Sequence, residues 1–93
     1  MVDSEPTFIG GESAMIKFIK ENLNESAKGL TGTIYVQFVV DESGKVTEVK
    51  VIRGGNKKLK AEALRLVKSM PHWNPGKLAG SAVSTRMVLP IKF

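Results

Sequence analysis

The chain has no cysteine and one histidine, His72, among its 93 residues. Without cysteine there is no disulfide scaffold, no thiolate metal site and no cysteine nucleophile. A zinc or iron site would need several carboxylates to converge on His72. The acidic residues instead stand in a predicted turn, as Asp41 and Glu42 do, or among lysines, as Glu48 and Glu62 do. We therefore predict a protein that is not an enzyme, with no catalytic residues, no metal and no cofactor.

Long apolar runs are also missing. The longest is Phe38-Val39-Val40, far short of the roughly 20 residues that cross a bilayer. The opening residues, which include Asp3 and Glu5, are acidic and lack the apolar core of a signal peptide. These observations predict either a cytoplasmic chain or a piece of a longer protein.

Acidic residues are the minority charge: 14 lysines and arginines against 9 aspartates and glutamates give a net charge of +5. Such a charge attracts anionic partners at long range, and one predicted helix face could follow phosphates. That face carries Lys57, Lys58, Arg65 and Lys68. No aromatic residues interleave them, and the stacking pattern of an RNA-recognition sheet is absent. The GXXG spelling of residues 29–32 leads into a strand, whereas in a KH domain that loop joins two helices. We predict no nucleic-acid partner.

What is present is a regular alternation of helical and strand patterns. Residues 1–10 are predicted to form a leader, of which the first seven are loose, and residues 11–93 a single domain. Residues 12–23 have helical spacing and one broad apolar face. This face consists of Met15, Ile16, Phe18, Ile19 and Leu23. The segment 33–40 alternates with period two, which places Ile34, Val36, Phe38 and Val40 on one face of a strand.

A hairpin and a second helix follow. The polar turn 41–44 leads into a strand over residues 45–53, and so short a loop requires antiparallel pairing. Asn56 is a candidate N-cap for a helix that ends before Pro71. Its apolar stripe is Leu59, Ala63, Leu66, Val67 and Met70. The last predicted strand covers residues 81–91, after a connection over 72–76.

The element order is therefore α-β-β-α-β, which predicts an α+β fold. Each strand has one apolar face, so we expect a three-stranded antiparallel-type sheet with two helices on one face. The crossover through the second helix is simplest if the first strand is central and the last lies at an edge with unpaired backbone groups. Trp73 is predicted to be buried at the end of the core, and Tyr35 to lie on the uncovered face near the edge strand.

Several segments, taken together, resemble the motifs of a known family. The valine-rich strand ends in Asp41-x-x-Gly44, and residues 70–76 spell Met-Pro-x-Trp-x-Pro-Gly. Together with Gly80 and the end, 89–93, they resemble the TonB C-terminal domain family. The lead-in, 6–11, is similar to the version found in Bacteroidetes-type bacteria. The resemblance covers nearly the whole chain.

The resemblance implies a periplasmic module tethered to the inner membrane. In proteins of this family, an N-terminal membrane anchor and a Pro-rich spacer connect the domain to proton-driven motor proteins. Neither the anchor nor the spacer lies within these residues. The domain grips the TonB box of an outer-membrane transporter by β-strand addition next to its last strand. The corresponding residues here are Val83, Ser84, Thr85, Arg86, Met87, Val88 and Leu89, with Tyr35 as an accessory contact. We expect a monomer or a strand-swapped dimer.

Two departures from the family pattern leave an alternative open. Residues 22–27 lack the Tyr-Pro that family members usually carry there, and Lys60 stands where an acidic residue often opens the second helix. Similar domains are also appended to antirepressor-type membrane metallopeptidases and other envelope proteins. The alternative function is therefore an interaction or sensor module of such a protein.

Overall fold

The computed structural model describes residues 2–93, apart from the side chain of Ser26, so that Met1 of the predicted leader lies outside the described residues. The helices and strands along this part of the chain are α1 (Gly11–Asn22), β1 (Thr33–Val40), β2 (Val46–Arg53), α2 (Lys57–Lys68), β3 (Gly76–Leu78), β4 (Ser81–Val83) and β5 (Thr85–Lys92). A 3-10 turn, Glu25–Ala27, precedes β1. Neither helix among these residues has the length and apolar character needed to cross a bilayer.

The main sheet has the order β2-β1-β5, and both pairings are antiparallel. The predicted α+β fold, the central position of the first strand and the edge position of the last are confirmed. Ile34, Val36, Phe38 and Val40 of β1 are each at most 1% exposed, because their side chains alternate onto the face that both helices cover. The intervening residues of β1 lie on the uncovered face and are half-buried.

The hairpin between β1 and β2 is held by one aspartate. Asp41 Oδ1 accepts hydrogen bonds from Ser43 N and Lys45 N, both at 2.9 Å, and from Ser43 Oγ at 2.6 Å. These hydrogen bonds hold the pKa of Asp41 below its ordinary value. The bond from the Ser43 hydroxyl has the largest effect, and the two backbone N–H groups lower the pKa further. Gly44 then adopts a φ of 88°, the left-handed conformation that closes this kind of three-residue loop. The predicted turn is confirmed.

The second helix forms as its sequence predicts. Asn56 Oδ1 accepts a hydrogen bond from Leu59 N at 3.0 Å, which satisfies one of the free donors of the first turn. The predicted apolar stripe is buried against β1 and β2, from Leu59 to Met70. The same helix buries a carboxylate, Glu62, at 5% exposure.

The prediction of one unbroken last strand, 81–91, is wrong. The strand is interrupted at Ser84, and β4 pairs with β3 in a separate two-stranded sheet. The turn between them, Ala79 and Gly80, has φ values of 51° and 82°, as a two-residue hairpin turn requires. The physical reason is the length of β1: Val40 pairs with Thr85, and beyond Val40 the chain turns away. Residues 81–83 therefore pair with residues 76–78. The sequence analysis predicted no strand for residues 76–78.

The expectation that the leader is loose is also wrong. Thr7 and Asn74 exchange backbone hydrogen bonds at 3.1 and 2.8 Å, and Lys77 N donates to Ser4 O at 3.0 Å. The leader therefore runs antiparallel to the segment before β4, with isolated bridges at both positions. Two residues of the leader, Pro6 and Phe8, are buried. Phe8 packs edge-on against Trp73, with ring centroids 5.5 Å apart. The domain boundary at residue 11 remains a prediction.

The first helix forms over its predicted range, with its N-cap at Gly10. However, none of its residues is buried. Met15, Phe18 and Ile19 reach the core cluster only in part, and Ile16 is 44% exposed. An apolar helix face that stays half-covered leaves a groove beside the sheet, described below.

Candidate peptide-binding edge

The outer side of β5 is the open edge of the main sheet. Its inner side pairs with β1 in continuous register, from Thr33 opposite Lys92 to Val40 opposite Thr85. Among residues 2–93 no strand pairs with the other side. An edge of this kind presents a row of backbone donors and acceptors that another extended chain can complete.

The direction of each backbone group along β5 follows from one hydrogen bond. Phe93 N donates to Gly32 O at 2.8 Å, so Phe93 turns its backbone towards β1. Residues alternate along an antiparallel strand, and the register contains no shift. Thr85, Met87, Leu89 and Ile91 therefore bond to β1. The groups that face the open edge belong to Arg86, Val88, Pro90 and Lys92.

Two independent observations agree with this assignment. Asp41 N donates to Lys45 O in the hairpin, which turns the odd-numbered residues of β1 towards β2 and the even-numbered ones towards β5. Pro90 has no N–H, and it falls on the open side, where proline does not break the ladder. The free N–H groups of the edge are thus those of Arg86, Val88 and Lys92.

The side chains of β5 divide in the same way. Met87, Leu89 and Ile91 point to the face with the core cluster, whereas Arg86, Val88 and Lys92 are exposed on the other face. Val88 is 48% exposed. An added strand would therefore meet an apolar surface on one face and a mainly basic one on the other.

The sequence-predicted site residues are only partly brought together. Val83 belongs to β4, and Ser84 lies between the strands with its hydroxyl donating to Glu42 Oε1 at 3.3 Å. Thr85, Arg86, Met87, Val88 and Leu89 all lie in β5. The continuous edge therefore begins at Thr85, two residues later than expected, and its role in binding stays a prediction.

Tyr35, the proposed accessory contact, lies in the central strand. It pairs with Pro90 of β5 and Arg53 of β2, and the Arg53 guanidinium carbon lies 5.8 Å from the centre of the tyrosine ring. The side chain is half-buried on the uncovered face. A full strand separates Tyr35 from the open edge, so only a long side chain of an added segment would reach it over Pro90.

The sequence reasoning missed a groove alongside β5. It has a volume of about 670 Å³ and lies between α1 and β5, with residues of the leader and Trp73 also lining it. Met15, Ile16 and Ile19 line it from α1, and Met87 and Leu89 from β5. The sequence feature that could have indicated this groove is Ile16. It makes the apolar face of α1 wider than the part that packs against the core.

Trp73 also lines this groove. It is 4% exposed, and its ring packs against Phe8 and Phe38 with centroid distances of 5.5 and 5.3 Å. The prediction that Trp73 is buried is confirmed. Its indole Nε1 is buried without a hydrogen-bond partner among the described residues, so the ring contributes packing rather than a polar contact.

One of the four basic residues considered for phosphate binding is otherwise engaged. Arg65 donates from Nε and Nη2 to the Glu62 carboxylate at 2.8 and 2.6 Å, and from Nη2 to Asn22 O at 2.5 Å. Glu62 Oε2 also accepts from Asn24 N at 2.5 Å. These bonds fasten the end of α1 and the following loop to α2. The Arg65 hydrogen bonds, helped by Asn24 N–H, hold the pKa of Glu62 below its ordinary value.

The described residues hold no group of three or more histidine, cysteine, aspartate or glutamate side chains placed to bind a metal ion. The surface around β5 offers backbone groups, apolar side chains and positive charge. The structure defines an α+β domain with an open strand edge.

A comparison with protein families matches residues 24–93 to the Gram-negative bacterial TonB protein C-terminal family. The match covers most of the chain, and the protein belongs to this family. Comparisons with curated proteins and with solved structures gave no match. The Bacteroidetes-type character of the sequence remains a prediction.

Family membership carries general properties. These domains are non-catalytic interaction domains of Gram-negative periplasmic proteins, and the family interacts with outer-membrane transporters. The match begins at residue 24 and so does not include α1. That helix, which forms one wall of the groove, lies outside the matched residues, as does the leader.

Proposed function

We propose that this domain is the periplasmic peptide-binding part of a TonB-like energy transducer, and that it engages the TonB box of an outer-membrane transporter by β-strand addition at β5. The observation that carries the proposal is the edge itself. β5 is paired with β1 over its whole length on one side and is free on the other among the described residues. Family membership supports a transporter as the partner.

The outward groups of β5 match the needs of an extended segment. The N–H groups of Arg86 and Val88 and the carbonyl groups of Arg86, Val88 and Pro90 face the edge, as the register requires. Main-chain hydrogen bonds of this type give affinity with little dependence on the ligand's sequence. Pro90 cannot donate, so regular pairing is strongest before it. A short ligand segment is therefore sufficient.

The proposal places the domain between two membranes. An N-terminal anchor in the longer protein would connect it to motor proteins of the inner membrane, and the strand pairing would transmit force to the transporter. The alternative, an interaction module of another envelope protein such as an antirepressor-type membrane metallopeptidase, is favoured by one observation. The Tyr-Pro expected before β1 is absent, and Asn22 and Asn24 there bond to α2 instead.

The test is an amide-shift titration of the 93-residue chain with synthetic TonB-box peptides from outer-membrane transporters of the same organism. Shifts on Arg86, Val88 and their neighbours in β5 are expected, with little change between low and moderate salt. Shifts confined to the α2 face of Lys57, Lys58 and Lys68, with affinity falling steeply in salt, would overturn the proposal in favour of an anionic ligand. Light scattering over a dilution series distinguishes a monomer from a strand-swapped dimer.

A further inference from the structure

We propose that α1 takes part in ligand selection: the groove between α1 and β5 receives a large apolar side chain of the added segment, and Lys20 of α1 favours an acidic residue two positions away in that segment. This inference rests on the proposed strand addition and adds the chemistry of the ligand to it. The helix concerned, Gly11–Asn22, lies outside the residues that match the family model.

The apolar face of α1 is incompletely buried. Met15 and Ile19 touch the core cluster with part of their surface. Ile16 does not belong to that cluster, lines the groove and is 44% exposed. Apolar side chains that line a concave surface gain from burial by a ligand, in proportion to the area removed from water. Ile16 is therefore the residue of α1 with the most to gain.

Side chains of a strand alternate between the two faces of its sheet. Those of an added segment that share a face with Met87 and Leu89 would point to the side where α1 lies. The groove, at about 670 Å³, has a volume within the range of roughly 300–1,000 Å³ that is typical of ligand sites. It has room for a leucine, isoleucine or phenylalanine side chain.

The α1 side of the groove also carries a positive charge, that of Lys20. Lys20 of α1 lines the groove and forms no ion pair with any described residue. Glu12, on the first turn of α1, is the acidic residue of the lining. Side chains two positions apart on a strand share a face, so a segment with an acidic residue two positions from its apolar residue would place that carboxylate on the side of α1, near Lys20. A basic segment would lack this complementarity.

The test is a double-mutant cycle measured by amide-shift titration. The probe is a transporter-derived peptide that shifts the amide resonances of β5. It is compared with a copy in which its apolar residue facing α1 is replaced by alanine. We expect Ile16→Ala to weaken the original peptide by about 3- to 10-fold, as truncation in an apolar site does, and the alanine copy by less than about 2-fold. The matched control is Ile52→Ala, at an equally exposed isoleucine (47%) on the opposite edge strand, β2, which should change neither affinity.

A second cycle tests the charge. Lys20→Gln should weaken a peptide that carries the acidic residue by about 2- to 5-fold in low salt and leave its amide counterpart unchanged. The control is Lys17→Gln, on the same helix but outside the groove. An unaltered amide spectrum of each free variant shows that folding is intact.

The outcomes separate the two proposals. If peptides shift β5 but Ile16→Ala weakens the original peptide and the alanine copy equally, strand addition stands and selection by α1 is overturned. If the charge cycle alone shows no coupling, the acidic part of the ligand pattern is overturned. If no transporter peptide shifts β5 at millimolar concentration, the proposed function fails and selection by α1 fails with it.

Discussion

The backbone N–H of Trp73 donates to the carbonyl oxygen of Gly44 at 2.7 Å. This bond joins the tip of the β1–β2 hairpin to the loop that follows α2, across nearly thirty positions of sequence. It places the Trp73 ring over Phe38 of the central strand. The hairpin turn and the tryptophan loop therefore pack together at one side of the core, and Trp73 also lines the groove beside β5.

Replacing Gly44 by alanine is expected to destabilise the fold strongly. Gly44 has a φ of 88°, and a Cβ there would collide with the carbonyl oxygen of Trp73. We expect Gly44→Ala to lower the free energy of unfolding in urea by about 2–4 kcal/mol, since it combines left-handed strain with an overlap of backbone atoms. The control is Gly29→Ala, which has a φ of 85° but open space around the added Cβ. It should cost about 1–2 kcal/mol, and equal losses would contradict the role of the contact.

Truncation of Trp73 should reduce stability more than it reduces binding. Its ring fills the space between Phe8 and Phe38, and removing a buried aromatic ring costs about 3 kcal/mol or more. Urea unfolding of Trp73→Ala measures this. Because the indole Nε1 has no partner among the described residues, Trp73→Phe should lose clearly less. A loss below about 1 kcal/mol for Trp73→Ala, together with loss of peptide binding, would make the residue a ligand contact instead.

The buried carboxylate of Glu62 makes stability depend on pH. Its hydrogen bonds from Arg65 and Asn24 lower its pKa in the folded state, so the folded form binds its proton less readily than the unfolded chain. The contribution is therefore complete above the unfolded-state value of about 4.3 and is lost as the pH falls below that value and through the lower folded-state pKa.

The measurement is urea unfolding of the wild type and Glu62→Gln at pH 7 and pH 3. At pH 7 the variant should be less stable by about 1–3 kcal/mol, because charged hydrogen bonds to Arg65 and Asn24 are weakened. At pH 3 the difference should shrink. Glu25→Gln is the control, since Glu25 pairs with Lys28 on an exposed surface, where an ion pair contributes little. A difference that persists unchanged at pH 3 would contradict the role of the ionised carboxylate.

The direction of the β5 backbone groups predicts opposite effects for neighbouring proline substitutions. Arg86→Pro removes an outward N–H and should abolish peptide binding while the fold survives, as it does with Pro90 on the same side. Met87→Pro removes an N–H that bonds to β1 and should unfold the domain or destabilise it by about 3 kcal/mol.

Arg86→Ala serves as the control for the arginine side chain. It keeps the N–H, so it should weaken binding by less than about 1 kcal/mol, in a salt-sensitive way. Amide-shift titration and urea unfolding of the three variants test the assignment. Unfolding by Arg86→Pro with tolerance of Met87→Pro would show that the backbone directions are reversed.

Much of the fold could be predicted from local patterns. The period-two alternation of β1 identified its buried face residue by residue, and the Asn56 cap and apolar stripe identified α2. These features depend on side-chain periodicity and on hydrogen bonds between near neighbours, both of which are written in the order of residues. The edge position of β5 followed from the shortness of the hairpin and the crossover through α2.

Residues 81–83 show where local patterns end. Their alternation continues into that of β5, so the sequence alone predicts one strand over 81–91. The break at Ser84 arises because β1 supplies no partner beyond Val40, and the length of a strand depends on its neighbour. The leader is a similar case, since Thr7 is held by Asn74, a residue distant in the chain.

The candidate site divides in the same way. The amino-acid sequence by itself determined that the last strand carries an apolar face and a mixed face, and that the fold leaves it at an edge. Only the tertiary structure decided that Arg86 and Val88, rather than Thr85 and Met87, turn their N–H groups outward, because that direction depends on which side β1 occupies. It also decided that α1 stands away from β5 and leaves Ile16 exposed, since the extent to which an apolar face is buried is set by packing between distant elements.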